Sequence, residues 1–533
     1  MQAKVVFIIV KLILFIRNVE SNRVDPLVDT KVGLIRGVTA TDGDYAMFMG
    51  IPYASVNDTN PFGESIPYPV FEEVFEAYDD SARCPQLYNN AIVGTLNCLH
   101  VNIYVPSSAS STNRLPVMVW LHGGAFVRGS GGRDIYGPRH IVKHNVILVT
   151  VNYRLDAYGF MCLDIPEVPG NQGLKDQFNA LQWINDNIES FGGDINKITL
   201  SGQSAGGHSI DLHLISTKDK LYQQVLIQSG SSVAATVLYK PDELAPIKLA
   251  QYLGLETSNV YEAVSFLAHT ETDLVIAATL ALGIMFKPCV EKEFDGVESF
   301  ISKQWFNTKV TKVKGLPVMI GFVENEMAMV HSNKESEYFH TLDPVQPYLR
   351  RIFDFDEDEL IEMTELIENF YFGYADLNED SMLDVIDFDS DFTYIHPIQR
   401  TIRNYLESQA GNIFYYMFSY IGGLNTLPNL SSHTDDVWYL FERRNAPEPS
   451  EEDQLVIERL TTMWTNFAKF GDPTPELSSL LPVKWLPLTK EDYKYLHIDK
   501  ELTLQSRPLH DRMAFWDLFY KATERLQSGF EDI

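Results

Sequence analysis

The stretch "ITLSGQSAGGHS" (Ile198–Ser209) sets Ser204 between glycines directly after an apolar run. A serine is a weak nucleophile at neutral pH; it needs a base, and the base needs an acid to orient it. Residues of both types follow. "LPVMIGFVENEM" ends in Glu324 and Glu326, and "SSHTDDVWYLF" carries His433. Ahead of the serine, "WLHGGAFVRG" places Gly123, Gly124 and Ala125 in a turn whose backbone N–H groups can approach a substrate oxygen. Together these are the parts of acyl transfer through a covalent serine intermediate.

Such parts work only if the chain brings them together. Dense apolar runs read as strands buried on both faces. They are Leu115–Leu121, Asn145–Tyr153, Lys197–Gly202, Gln223–Gly230, Leu316–Val323 and Asn412–Ile421. Between them, "LKDQFNALQWINDNIESFGG" repeats Phe178, Leu181, Ile184 and Ile188 at three- and four-residue steps, the pattern of an amphipathic helix. Alternating strands and helices predict an α/β fold with a mainly parallel sheet. Ser204 then lies between a strand and the helix-compatible "AGGHSIDLHLIS", where Gly202 and Gly206 permit a sharp turn and the Ala205 N–H faces the same point. On such a sheet the order is serine, acid, histidine. Glu324 and Glu326 both stand past a strand's carboxyl end, where ligands bind. His433 follows the last of these strands, a setting that His331, His340, His396, His497 and His510 lack.

The net charge of −30 speaks against nucleic acid or an anionic membrane surface as partner, since both require basic patches. Much of the acid falls in Asp354–Phe392, read as a solvated, mostly helical surface. The N-terminus, "MQAKVVFIIVKLILFIRNVES", has Lys4, an apolar stretch from Val5 to Ile16 and the small residues Val19 and Ser21. It reads as a secretory signal peptide over residues 1–21, too short and too charged to span a membrane. No Pro- or Ser-rich linker divides residues 22–533, which read as one domain. In a secreted protein the four cysteines imply a disulfide, with Cys84 and Cys98 the nearest pair. "NDT" at Asn57 and "NLS" at Asn429 are glycosylation acceptors.

From about residue 26 to about residue 520 the chain resembles the type-B carboxylesterases, which include cholinesterases, juvenile hormone esterases and odorant-degrading esterases. The resemblance rests on "FMGIPYA", "CPQ", "CLHVNIYVP", "VMVWLHGGAF", "VNYRLDAYGF", "PGNQGLKDQFNALQWINDNIESFGGD", "ITLSGQSAGG", "IGFVENE", "HTDDVWYLF", "NFAKFGDPTP" and "RMAFWDLFY", in that order. It implies an α/β-hydrolase fold, a small-molecule ester as substrate, and no metal or cofactor. It selects Glu326, five residues after Gly321, as the acid and His433 as the base. It maps the oxyanion donors onto Gly124, Ala125 and Ala205, with Gly123 shaping the loop, and a disulfide onto Cys84–Cys98. The expected protein is a secreted serine esterase acting on small to medium hydrophobic esters, such as xenobiotic, pheromone, odorant or hormone esters. The rival is a non-catalytic binding or adhesion protein on the same fold, or a stoichiometric scavenger.

Several positions depart from the family pattern. Gln203 stands where an acid usually precedes the nucleophile, and Met327 and Leu430 replace glycines. "NPFGESIPYP" lacks the family's arginine, and Leu96 replaces the acid that pairs with it. The Cys84–Cys98 loop is short and has no tryptophan to hold a quaternary ammonium, which argues against choline esters. Cys162 and Cys289 have no evident partner and are expected to be buried free thiols.

Overall fold

The computed structural model describes residues 26–302, 309–373, 376–524 and 526; the expected leader lies outside the described residues. Eleven strands form the main sheet. In chain order they are β1 (Val38–Thr39), β2 (Tyr45–Pro52), β3 (His100–Pro106), β4 (Leu115–Leu121), β5 (Ile147–Val151) and β6 (Gly193–Gln203). β7 (Gln224–Gln228), β8 (Val318–Val323), β9 (Ile413–Phe418), β10 (Lys494–Ile498) and β11 (Leu502–Ser506) complete it. The spatial order is β1-β2-β3-β5-β4-β6-β7-β8-β9-β10-β11. Neighbours from β5 to β10 run parallel, and the edges beyond them are antiparallel.

Every residue of β4, β7, β8 and β9 is buried, which is why β4, β8 and β9 read as unbroken apolar runs, while β7 is apolar between Gln224 and Gln228. Successive side chains feed opposite layers. Val117, Val119 and Leu121 join one apolar cluster, while Met118 and Trp120 join the other. The helices that matter for the site are α1 (Gln172–Asn187) and α2 (Ala205–Ile215). The sequence runs expected at Asn145–Tyr153 and Asn412–Ile421 pair over shorter spans, because their ends leave the sheet as loops.

In the segment Asp354–Phe392, Asp356 caps a helix over Glu357–Tyr371 that carries most of its acids outward. Two carboxylates turn inward instead. Asp391 is buried and accepts two hydrogen bonds from Arg512, and Asp389 accepts from Tyr348. The segment Asn60–Ser65, which departs from the family pattern, is fastened by Arg154. This fully buried guanidinium binds Asp176 in a two-pronged ion pair and donates to the carbonyls of Pro61 and Gly63.

Cys84 and Cys98 form a disulfide, as expected. Cys162 and Cys289 form a second one, so the expectation of free thiols is corrected. The partners lie 127 residues apart, and no spacing in the sequence links them. The fold brings them together around Gly170. A Cβ there would sit 2.6 Å from Cys289 Sγ and 2.7 Å from Cys162 Sγ, so only glycine leaves room. Asn171 then pins the Cys289 arm through both its backbone N–H and C=O. The long loop makes this cross-link the more stabilising of the two in a chain-entropy account. Replacing Cys162 and Cys289 together by alanine should lower unfolding free energy by about 2–5 kcal/mol. Urea denaturation would read it, and a loss under about 1 kcal/mol would contradict it.

Candidate active site

Ser204 occupies the turn between β6 and α2 with φ 56° and ψ −123°, a strained conformation for a residue with a Cβ. Close packing enforces it. A Cβ on Gly206 would approach the Leu121 carbonyl oxygen to 2.0 Å, so α2 can start against the end of β4 only with glycine there. The Ser204 N–H donates to the Gln228 carbonyl, and the Ser204 carbonyl accepts from His208 N–H, locking the turn to β7 and to its own helix.

Glu326 and His433 come from the ends of β8 and β9. A backbone bridge between Asn325 and Ser432 joins the two loops. His433 Nδ1 lies 2.5 Å from Glu326 Oε2, and the other carboxylate oxygen accepts the Val323 N–H at 2.9 Å. Glu326 is 1 % exposed. Glu324, which sequence position alone leaves equivalent, is half-buried, and the contact to His433 is made by Glu326. Glu326 Oε2 therefore accepts a hydrogen bond from Nδ1–H, the tautomer that leaves a lone pair on Nε2. That lone pair accepts from Gln203 Nε2 at 3.1 Å. The residue that departs from the family pattern thus faces the histidine beside the serine.

The two aspartates of "HTDD" hold the histidine loop. Asp435 accepts from the N–H groups of Ser432 and Thr426. Asp436 accepts from Gln228 and Tyr416, and burial pushes it up to about 6. Of the other histidines, His331 pairs with Asp389, His396 with Asp517, and His497 bonds Ser419. His340 bonds Ser336, and His510 opens the last helix. His208 lines the cavity beside Ser204. Its Nδ1 is tied to Ser231 and burial lowers its pKa to about 3, so it takes up a proton reluctantly and makes a poor base.

The loop after β4 completes the arrangement. Gly124, Ala125 and Phe126 all have positive φ, and Gly123 lies against Gln203 and Ser204. The N–H groups of Gly124, Ala125 and Ala205 have no acceptor among the hydrogen bonds of the described residues. Ala125 and Ala205 line one cavity with Ser204, and free donors so placed are what a developing oxyanion needs.

Two features were missed from sequence. Tyr394 sits on a single π-turn, Asp391–Ile395. Its ring centroid lies 4.7 Å from that of His433, and it lines one cavity with Ser204. The wider turn, common at functional sites, carries no periodic signal. Lys287 is 9 % exposed and donates to the Ala125 carbonyl at 2.5 Å. The cavity bounded by Ser204, Phe126, Met327, Tyr348, Tyr394 and Lys287 measures about 170 Å³. No group of His, Cys, Asp or Glu among the described residues is arranged to hold a metal, and no described helix is long and apolar enough to cross a membrane.

The fold and this site define an α/β-hydrolase. Among solved structures, the juvenile hormone esterase from Manduca sexta with OTFP covalently attached superposes with a TM-score of 0.81 at 25% identity, covering 93% of this chain and 100% of that one. The juvenile hormone esterase of Tribolium castaneum is 29% identical over 95% of each chain. The bile salt-activated lipase of Homo sapiens is 28% identical over 92% of this chain and 69% of its own length. A model of the carboxylesterase family matches residues 24–516. The chain belongs to that family and is a carboxylic ester hydrolase.

Proposed function

We propose that this is a secreted serine esterase with Ser204 as nucleophile, His433 as base and Glu326 as its orienting acid. Ser204 Oγ attacks the ester carbonyl carbon while His433 Nε2 takes its proton. The carbonyl oxygen gains negative charge and is held by the N–H groups of Gly124, Ala125 and Ala205. The tetrahedral species collapses, His433 protonates the leaving alcohol, and an acyl-Ser204 remains. Water, deprotonated by the same nitrogen, then releases the acid. No metal or cofactor enters these steps.

The contact of Glu326 with His433 at 2.5 Å, on loops bridged to each other beside the serine turn, carries this reading. In the described geometry His433 Nε2 is engaged by Gln203; catalytic hydrogen bonds often tighten only once substrate is present. Aromatic and apolar walls from Phe126, Met327, Tyr348 and Tyr394 favour small to medium hydrophobic esters. Secretion is supported by the leader-like residues 1–21 and by two disulfides. Asn57 and Asn429 are both exposed, as glycan attachment requires.

Labelling with a fluorophosphonate and mapping the modified peptide tests the reading. One adduct per chain on Ser204, together with sustained turnover of an ester panel, is expected. A folded protein that takes no label would be a binding protein, and a burst without turnover would mark a scavenger.

A further inference from the structure

Beside the catalytic cavity lies a larger one of about 490 Å³, and Lys287 lines both. Its walls divide by chemistry. Phe160, Leu238 and Phe286 supply an apolar side, while Lys240, Lys287 and Arg351 supply cations. Asp242 is the one carboxylate of the lining, and its Oδ1 is occupied by the N–H groups of Leu244 and Ala245. Among the described residues no carboxylate forms a salt bridge with Lys240, Lys287 or Arg351. In a chain of net charge −30, a cavity ringed by unneutralised cations runs against composition.

Lys287 is built into its place. Its ammonium sits 5.7 Å over the Phe126 ring, and two residues on, Cys289 is anchored by its disulfide and by Asn171. Burial and Arg351 lower its pKa to about 8, with the charge of Asp156 pulling the other way. Asp156 is itself disfavoured as an anion, raised by burial to about 6. A buried ammonium held by one carbonyl, with no carboxylate in ion-pair contact among the described residues, is incompletely compensated. An incoming anion would complete it. Arg351, stacked on Tyr239 and donating to its hydroxyl, offers a preset cation on the same wall.

We propose that this annex receives the far end of the ester substrate, an apolar chain that terminates in a carboxylate or a similar anion. The chain lies along Phe160, Leu238 and Phe286; its head meets Arg351 and Lys240, with Lys287 at the junction toward Ser204. The inference rests on the esterase reading of Ser204 and names the class of ester that site selects.

The test compares mono-4-nitrophenyl suberate with 4-nitrophenyl octanoate, which share chain length and leaving group and differ in the terminal carboxylate. The ratio of their kcat/KM values should exceed one in the unmodified protein. It should fall about tenfold in the double variant Arg351→Gln, Lys240→Gln, the effect of losing a charge-assisted contact. Both side chains are exposed, so the variant should fold; Lys287→Met serves as a second variant read by the same ratio. A ratio at or below one, or a ratio that neither variant lowers, would overturn the inference while the esterase reading stands, provided a fluorophosphonate still labels Ser204. Absence of both label and octanoate turnover would remove the esterase reading and the inference with it.

Discussion

Ser204→Ala is expected to lower kcat for a simple activated ester by about 10⁶, the scale on which a serine nucleophile acts in a triad. The protein should remain folded. Alanine keeps the Cβ that already tolerates φ 56°, and the turn is held by backbone bonds to Gln228 and His208 rather than by the hydroxyl. Unfolding temperature should therefore change little while turnover collapses. The residual rate should still exceed the uncatalysed one by about 10³–10⁴, because three N–H donors remain. A variant within tenfold of the unmodified rate would show that acyl transfer uses another group. The assay requires protein free of host esterase, since one part in 10⁵ would mask the expected loss.

The parallel strands of the site were legible because burial on both faces writes itself as unbroken apolar runs, as in β4 and β8. The serine turn was legible because its geometry demands small residues on either side. β2 and β3, at the antiparallel side of the sheet, lie outside those runs; in β3 the apolar pattern is interrupted by Asn102, which is buried and hydrogen-bonded to the Gly131 carbonyl. Glu324 and Glu326 could not be separated from the residues themselves, because which carboxylate turns inward depends on the Val323 N–H that captures one of them. The Cys162–Cys289 bond and Lys287 were out of reach for the same reason. Each depends on contacts between segments more than a hundred residues apart, and no local spacing encodes such contacts.

Glu326→Gln is expected to lower kcat/KM by about 10⁴ without unfolding the protein, comparable to removing the charge of the orienting acid in other serine triads. The hydrogen bonds decide how the amide sits. Glu326 Oε1 accepts the Val323 N–H, so that position calls for the amide oxygen. The amide NH₂ then occupies the place of Oε2, where it faces His433 Nδ1 at a distance of 2.5 Å in the unmodified protein. A donor there requires a lone pair on Nδ1 and drives the histidine proton to Nε2. The base would then present N–H, not a lone pair, to Ser204. Gln203 supplies its amide NH₂ to that same nitrogen, so the flipped tautomer requires this amide to turn and present its oxygen to the new N–H. Fluorophosphonate labelling of Ser204 should slow in parallel with ester turnover, since both need the serine deprotonated. If kcat/KM fell less than tenfold with labelling unchanged, the carboxylate would not be orienting the base. A loss confined to KM would likewise count against it, because an acid acting through His433 contributes in the transition state and not to substrate binding.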